Sequence, residues 1–311
     1  MLKFVTYSGR GLKKAHHVGL QMTADSILPL AHFPNLKSKN MLEFITKHGL
    51  EGIARIKEHL WSNPPQAGDM INSSKYQLQA PIPLPHRNII CIGKNYLDHV
   101  SEVKFAATSE APGGGGCVAA DIPNSPIFFT KAPQCVIGPD ADIESHPGLT
   151  RHLDWEVELA VIIGKQGRDI KKADALAHVF GYTIANDVTA RDLQKRHNQW
   201  FKGKTLDSTC PMGPYIVPAC CLTASDAANL ELCLSVNGEQ KQLGNTKDLI
   251  FDVPTIISTL SEGFTLLPGD IILTGTPSGV GFARKPSEQL KRGDKLALSI
   301  THLGELRNQV V

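Results

Sequence analysis

Carboxylates alternate with apolar residues in the segment 154–158, and the apolar run 159–163 follows it directly. Successive side chains of a β-strand point to opposite faces, so a strand here would place Asp154, Glu156 and Glu158 on one face. Acids crowded on so apolar a strand repel one another and lose hydration, which is costly unless a cation neutralises them. The segment therefore predicts a buried acidic site that a hard divalent metal ion would balance.

A second acidic element stands at the end of another apolar run, 177–185, where Asp187 precedes a polar segment. Asp187 or Thr189 is predicted to cap a helix over that segment. Residues three apart share a helix face, so Arg191 and Gln194 would lie side by side. Taken alone, Asp187 is better explained as a helix cap. Together with the two glutamates it gives three oxygen ligands without Cys or His at ligand spacing, which suits Mg²⁺, Mn²⁺ or Ca²⁺ rather than Zn²⁺.

His99 and Glu102 have the spacing of a proton-handling pair. If this stretch is a short helix, the Glu102 carboxylate can orient the imidazole and stabilise its charge, giving a dyad that activates water or deprotonates carbon. A lone pair of this kind is usually a surface contact of about 0.5 kcal/mol. The insert 105–124, which contains four consecutive glycines, predicts either a mobile cover for this pair or a disordered surface loop.

Composition narrows the class of protein. The 311 residues carry a net charge of +2 without a long basic block, so neither a nucleic acid nor another polyanion is expected as a partner. The seven cysteines include no C-x-x-C pattern, which argues against a disulfide framework and a structural zinc site. No apolar run reaches the length of a membrane span, and the absence of a leader predicts the cytoplasm.

Two segments resemble known functional motifs but lack a required residue or spacing. The segment Gly203-Lys204-Thr205 ends like a phosphate-binding loop, but position 198 is Asn where that motif needs Gly. Ser278 lies in a segment without the Gly-x-Ser-x-Gly spacing of a nucleophile elbow, so a serine hydrolase is disfavoured. A metallophosphatase is also a poor fit, because Arg191 and Lys204 are its only candidate phosphate-binding cations.

The elements that must position these residues divide into two predicted domains. Residues 1–80 combine short strands with an amphipathic helix over 39–60 and form a small domain. Alternate prolines in the segment 80–85 fix an extended backbone and mark the boundary, so the catalytic domain is predicted to span 86–311. Its expected strands cover residues 88–92, 125–130, 155–163, 177–185, 230–236 and 270–274.

The chain resembles the fumarylacetoacetate hydrolase superfamily from Pro85 to Val311. The likeness rests on several motifs in a fixed order: Asp154-Trp155-Glu156-Val157-Glu158, Asn186-Asp187-Val188-Thr189-Ala190-Arg191-Asp192, Gly203-Lys204-Thr205, Cys210-Pro211-Met212-Gly213-Pro214, Val236-Asn237-Gly238-Glu239 and the Leu273 to Gly281 segment. The resemblance implies a β-rich α+β protein, with a C-terminal mixed β-sandwich roll, a small N-terminal α/β domain and assembly as a homodimer.

The resemblance also implies roles for individual residues. Metal ligands would be Glu156, Glu158 and Asp187, holding Mg²⁺, Mn²⁺ or Ca²⁺, while Asp154 would not bind the ion. Catalytic roles would fall to His99, Glu102 and Lys204. Substrate contacts would come from Arg191, Gln194, Lys204 and Thr276, although stabilisation of a glycine-rich turn explains Thr276 equally well.

A small 2-oxo acid chelated by such a metal would react through a stabilised enolate. The first 80 residues resemble the branch of the family assigned to oxaloacetate keto-enol tautomerisation, and this is the first expectation for the reaction. That branch also implies the mitochondrial matrix as an alternative compartment. The second expectation is hydrolytic C–C cleavage of an acylpyruvate or fumarylpyruvate, with oxaloacetate decarboxylation as a side reaction. The alternative that is not an enzyme is a catalytically silent scaffold protein that binds metal.

Overall fold

The computed structural model describes residues 1–9, 16–108 and 122–311, and the side chains of 103–108 are left out of the description. The four glycines of the predicted cover lie outside the described residues. No helix within the described ranges is long and apolar enough to cross a membrane.

Strands dominate the described part of the chain. They are β1 (Phe4–Gly9), β2 (His17–Thr23), β3 (Ser26–Pro29), β4 (Ile71–Asn72), β5 (Tyr76–Gln79), β6 (Ile89–Gly93), β7 (Ile127–Lys131), β8 (Val136–Ile137), β9 (Asp142–Ile143), β10 (Leu153–Asp154), β11 (Val157–Ile163), β12 (Val179–Asn186), β13 (Thr189–Ala190), β14 (Cys210–Pro218), β15 (Glu231–Val236), β16 (Glu239–Asn245), β17 (Ile271–Leu273), β18 (Lys295–Ile300) and β19 (Gly304–Val310). The α-helices are α1 (Met41–Lys47), α2 (Gly49–Ser62), α3 (Leu97–Thr108), α4 (Arg191–Arg196), α5 (Phe201–Lys204), α6 (Ala224–Ala227) and α7 (Val253–Ser261).

A large mixed sheet carries the acidic segment at its centre. Its order is β4-β3-β2-β1-β14-β12-β11-β17-β6-β7, with β5 beside β1 and β8 beside β14. Strand β11 is buried along its whole length, because both of its faces are covered. The predicted alternation is confirmed: Val157 and Leu159 belong to one core, while Ala160 and Ile162 belong to the other.

Each face of this sheet is covered by a different layer. A five-stranded sheet of order β16-β15-β18-β19-β9 shares a core with one face of β11, and helix α7 joins it. Helices α1 and α2 share the core of the other face. Here Phe44 of α1 lies 5.2 Å from Phe4 and 6.2 Å from Phe180 between ring centroids, which ties the N-terminal residues to β12. The result is the β-rich α+β fold that the sequence predicts.

The first 80 residues add strands to the large sheet. Strand β1 pairs antiparallel with β14, with Phe4 opposite Ile216. The division into domains 1–80 and 86–311 stays a proposal based on the proline-rich segment and the change of pattern beyond it.

Three local predictions are corrected. The helix expected over 39–60 is two helices that meet at Gly49, whose φ of 48° lies in the left-handed region. Helix α4 has Ala190 at its N-cap and no side-chain cap, so neither Asp187 nor Thr189 caps it. Asp154 belongs to β10, which pairs with β13, so the acidic segment is not one continuous strand.

Candidate metal centre and active site

Antiparallel pairing of β11 with β12 brings the acidic segments together. Val157 lies opposite Asn186, so the start of one strand meets the end of the other. The Asn186 side chain accepts a hydrogen bond from the Glu156 backbone N–H at 3.0 Å, and the Asp187 N–H donates to the Glu156 carbonyl at 2.9 Å. These bonds fix the backbone on both sides of the junction. Residues 30 positions apart therefore converge.

The convergence produces a buried group of three carboxylates. One oxygen each of Glu156, Glu158 and Asp187 lies within 4.8 Å of the others, and all three residues are buried. Burial raises the pKa of Glu158 well above its usual range, and the charges of Asp187 and Glu156 add to the effect. Burial also acts to raise the pKa of Glu156, but the charges of Lys204 and Arg191 outweigh it and lower the value to about 2.

Lys204 lies against the carboxylates at the end of α5. Its Nζ is 2.6 Å from Glu156 Oε2 and 2.8 Å from Asp187 Oδ2. Burial acts to lower the pKa of Lys204, but these two carboxylates raise it above its ordinary value. The Nζ also lies 5.0 Å from the centroid of the Phe129 ring, a cation–π contact. Lys204 is therefore held as an ammonium beside the acidic group.

Arg191 links the acidic group to helix α4. Its Nη2 lies 2.6 Å from Glu156 Oε1, and its Nε donates to Asp154 Oδ2 at 2.9 Å. Its Nη1 donates to Gln194 Oε1 at 3.2 Å, so the predicted neighbours on one helix face do meet. Asp154 also accepts a bond from the Gly281 N–H at 2.7 Å. Asp154 thus orients Arg191 and the loop around Gly281.

The predicted dyad is assembled at the start of α3. His99 Nδ1 lies 2.8 Å from Glu102 Oε1, and the Gly279 N–H donates to Glu102 Oε2 at 2.9 Å. Because a carboxylate only accepts hydrogen bonds, the proton in the first contact belongs to Nδ1. This leaves the lone pair on Nε2 of His99, which is the arrangement a general base needs.

The glycine-rich loop 275–281 connects the dyad to the acidic group. The Gly275 N–H donates to Glu158 Oε2 at 2.7 Å, at the other end of the loop from Gly279. Gly279 has a φ of 101°, and a Cβ at this position would overlap the carbonyl oxygen of Lys241. The loop conformation therefore requires glycine, and the loop supplies backbone donors to three acids, Glu158, Glu102 and Asp154.

Thr276 is placed in the site but is already engaged. Its hydroxyl donates to the Val157 carbonyl at 3.0 Å and accepts from Gln242 Nε2 at 2.8 Å. The hydroxyl proton is therefore used to hold the start of β11. The predicted substrate contact at Thr276 would use the remaining lone pair of its oxygen.

The sequence analysis does not predict three residues that lie near the site. Lys131, at the end of β7, has its Nζ 2.9 Å from Asp187 Oδ1. Gln242 bridges the Val157 N–H and Thr276. Asn95 holds the strand ends around Thr274. The only signal for Lys131 was a lysine directly after an apolar stretch, which reads equally well as a solvent-exposed strand end.

The donor set fits a hard divalent cation. All three ligand candidates are carboxylates, and no other such group of His, Cys, Asp or Glu is found within the described ranges. Burial, together with the charges of Asp187 and Glu156, raises the pKa of Glu158, so a further cation at the site would stabilise its carboxylate form. Oxygen-only ligands with open positions suit Mg²⁺ or Mn²⁺.

Comparison with known proteins finds a matching family and similar proteins. A family model described as fumarylacetoacetate (FAA) hydrolase C-terminal matches residues 88–311. A protein of Bacillus subtilis (strain 168) named oxaloacetate tautomerase YisK is 51% identical over 241 residues, which cover 78% of this chain and 75% of that protein. The human protein named oxaloacetate tautomerase FAHD2A, mitochondrial, is 38% identical over 298 residues, 95% of this chain and 87% of its own length.

A solved structure is similar over almost the whole chain. Maleylpyruvate hydrolase from Sphingobium sp. SYK-6, in complex with a manganese(II) ion and pyruvate, superposes with a TM-score of 0.74 at 28% identity. The match covers 99% of this chain and 98% of that one. The family match, the relatives and the shared fold agree: this chain is an enzyme that belongs to the fumarylacetoacetate hydrolase family.

Proposed function

We propose that this enzyme catalyses keto-enol tautomerisation of oxaloacetate at the carboxylate centre. The observation that carries the proposal is the buried trio of carboxylates with Lys204, Arg191 and an assembled His99–Glu102 pair around it. Two relatives named oxaloacetate tautomerase support the choice of substrate.

Substrate binding would use the cations beside the carboxylates. Oxaloacetate carries two carboxylates, and a guanidinium can grip one of them through two parallel hydrogen bonds. Arg191 is oriented for this by Asp154. Since the amide oxygen of Gln194 accepts from Arg191, the amide N–H groups of Gln194 point elsewhere and can donate to the same carboxylate. Lys204 would face the oxygen on which negative charge develops.

Proton transfer would use the dyad. Glu156, Glu158 and Asp187 would hold a divalent ion, which would polarise the substrate carbonyl. His99 Nε2 takes the proton from C3, and Glu102 stabilises the imidazolium that forms. Return of that proton to the substrate oxygen completes the change from keto to enol, and the reverse path regenerates the keto form.

Acylpyruvate or fumarylpyruvate hydrolysis is the second candidate, with oxaloacetate decarboxylation as a side reaction. The similar solved structure is of a maleylpyruvate hydrolase bound to manganese(II) and pyruvate. The same dyad could activate water for attack on a distal carbonyl. A catalytically silent scaffold would lack one of the three carboxylates or the His99–Glu102 pair. Among the described residues, the three carboxylates lie together and His99 contacts Glu102.

The test follows the decay of enol-oxaloacetate absorbance and pyruvate release in the same samples. Rapid enol decay without pyruvate is expected from the wild type. Glu102→Gln should lose this activity, whereas Asp98→Asn, an exposed acid on the same helix, should keep it. Pyruvate formed as fast as the enol disappears would reject tautomerisation in favour of decarboxylation, and rapid cleavage of an acylpyruvate would favour the second candidate.

The metal ion, the oligomeric state and the cellular compartment are part of the same proposal. We propose Mg²⁺ or Mn²⁺ as the resident ion, supported by the donor set and by the manganese in the similar hydrolase. A homodimer is proposed from the family resemblance, and mass photometry of the purified protein tests it. The name of the human relative supports a mitochondrial location, whereas the Bacillus relative is bacterial, and localisation by microscopy tests the compartment.

A further inference from the structure

Lys131 is a buried cation that the proposed reaction does not use. It ends strand β7, and its side chain is 0% exposed. Its Nζ lies 2.9 Å from Asp187 Oδ1, donates to the Val188 carbonyl at 3.1 Å, and also donates to the Lys204 carbonyl. Two of these contacts are hydrogen bonds to carbonyls, and the third is an ion pair with Asp187. Because Lys131 is also fully buried, it is placed to hold Asp187 and not to contact a substrate.

In each of the three carboxylates, one oxygen meets a protein donor other than Lys204. Asp187 Oδ1 meets Lys131, Glu158 Oε2 accepts from the Gly275 N–H, and Glu156 Oε1 meets Arg191. The second oxygens of Glu156 and Asp187 both meet Lys204 Nζ, so an ion that binds these two oxygens would displace the Lys204 ammonium. Lys131 is the one side chain among these donors that is fully enclosed, since Arg191 is 8% exposed.

We propose that Lys131 is a positioning residue that keeps Asp187 monodentate and thereby makes the centre prefer Mg²⁺ or Mn²⁺ over Ca²⁺. Three monodentate acids provide three oxygens, which leaves half of an octahedral ion for substrate and water. Ca²⁺ takes six to eight oxygens and commonly uses both oxygens of a carboxylate. With Asp187 Oδ1 held by Lys131, that extra oxygen is withheld from the larger ion.

This inference rests on the metal centre of the proposed function but not on the reaction. Its readout is therefore metal affinity, which does not depend on whether the enzyme tautomerises or hydrolyses its substrate. The free energy of binding also responds to charge, because removing Lys131 leaves one more net negative charge beside the ion. Charge acts on all divalent ions, so the ratio of their affinities isolates the effect of coordination.

Isothermal titration of metal-stripped protein with MgCl₂, MnCl₂ and CaCl₂ tests the proposal. The wild type should bind Mg²⁺ and Mn²⁺ more tightly than Ca²⁺. In Lys131→Met the ratio of the Ca²⁺ to the Mg²⁺ dissociation constant should fall by about tenfold, the lower end of what an outer-shell metal partner contributes. Lys241→Met is the matched control, because Lys241 is a nearly buried lysine that pairs with Glu239 and Glu288 instead.

An unchanged ratio in Lys131→Met, even with both affinities shifted, would overturn the proposal, as would an equal change in Lys241→Met. Tighter binding of Ca²⁺ than of Mg²⁺ by the wild type would overturn it without any variant, so the test survives a variant that fails to fold. If the wild type binds none of the three ions, the metal centre itself is refuted.

Discussion

Metal affinity should depend on pH because the surroundings of Glu158 raise the pKa of its carboxyl. The carboxyl is buried beside Asp187 and Glu156, and its pKa is raised well above its usual range. Below that raised pKa the metal-free protein holds a proton on Glu158, and a divalent ion must displace it. One displaced proton weakens binding tenfold, about 1.4 kcal/mol, for each pH unit below the pKa.

Calorimetry in buffers of different ionisation enthalpy counts the protons released as Mn²⁺ binds. The wild type should release close to one proton per ion at the acid end of its stable range, and fewer as the pH rises through the pKa of Glu158. Glu158→Gln should release fewer protons and bind more weakly, whereas Glu58→Gln, at an exposed position of α2, should match the wild type. Equal proton release by the wild type and Glu158→Gln at every pH would refute Glu158 as the source of the proton.

The raised pKa of Glu158 also determines the direction in which the stability of the metal-free protein changes with pH. A carboxyl with a raised pKa in the folded state favours the protonated form, so its contribution is present below the unfolded pKa and is lost as the pH rises through the folded pKa. The metal-free protein should therefore lose this contribution toward alkaline pH. A bound ion holds Glu158 as a carboxylate and removes the loss. The rise in Tm caused by Mn²⁺ should grow with pH, and a constant rise would contradict this account.

Three further predictions concern single residues. Lys204→Met should lower kcat by about 10² to 10³, the usual loss when one charge-stabilising donor is removed, and a steady-state assay that finds kcat unchanged would exclude Lys204 from the reaction. Glu102→Gln should lower kcat by about 10² to 10⁴ with little effect on KM, while Asp98→Asn on the same helix leaves both unchanged; a matching loss in the two variants would mean that α3 was merely disturbed. Gly279→Ala should destabilise the fold by about 1 to 3 kcal/mol in urea unfolding, because its φ is positive and the added Cβ meets the Lys241 carbonyl; a stability equal to wild type would show that the loop relaxes freely.

The central strand could be predicted because its signal is local. Apolar residues occupy both faces of β11, and the acids stand at one end of it, so alternation alone separated Glu156 and Glu158 from the core of the opposite face. The position of Asp187 at the end of a second apolar strand was equally visible. The pairing of these two strands was not, since register depends on contacts between residues far apart in the chain.

Other features depend on tertiary contacts that the sequence does not encode locally. Lys131 follows an apolar strand and looks exposed, yet Asp187 and two backbone carbonyls enclose it. Gly49 lies within a periodic apolar pattern that predicts one helix, but its left-handed backbone separates α1 from α2. Asp154 matches the alternation of the acids and is nevertheless held by Arg191 in a separate short strand.

Anomalous diffraction from crystals grown with Mn²⁺ and a 2-oxo acid tests the central claim most directly. One manganese peak is predicted at coordination distance from a single oxygen each of Glu156, Glu158 and Asp187, with the 2-oxo acid chelating the remaining positions. A peak elsewhere, or none at these carboxylates in crystals soaked to saturation, would contradict it.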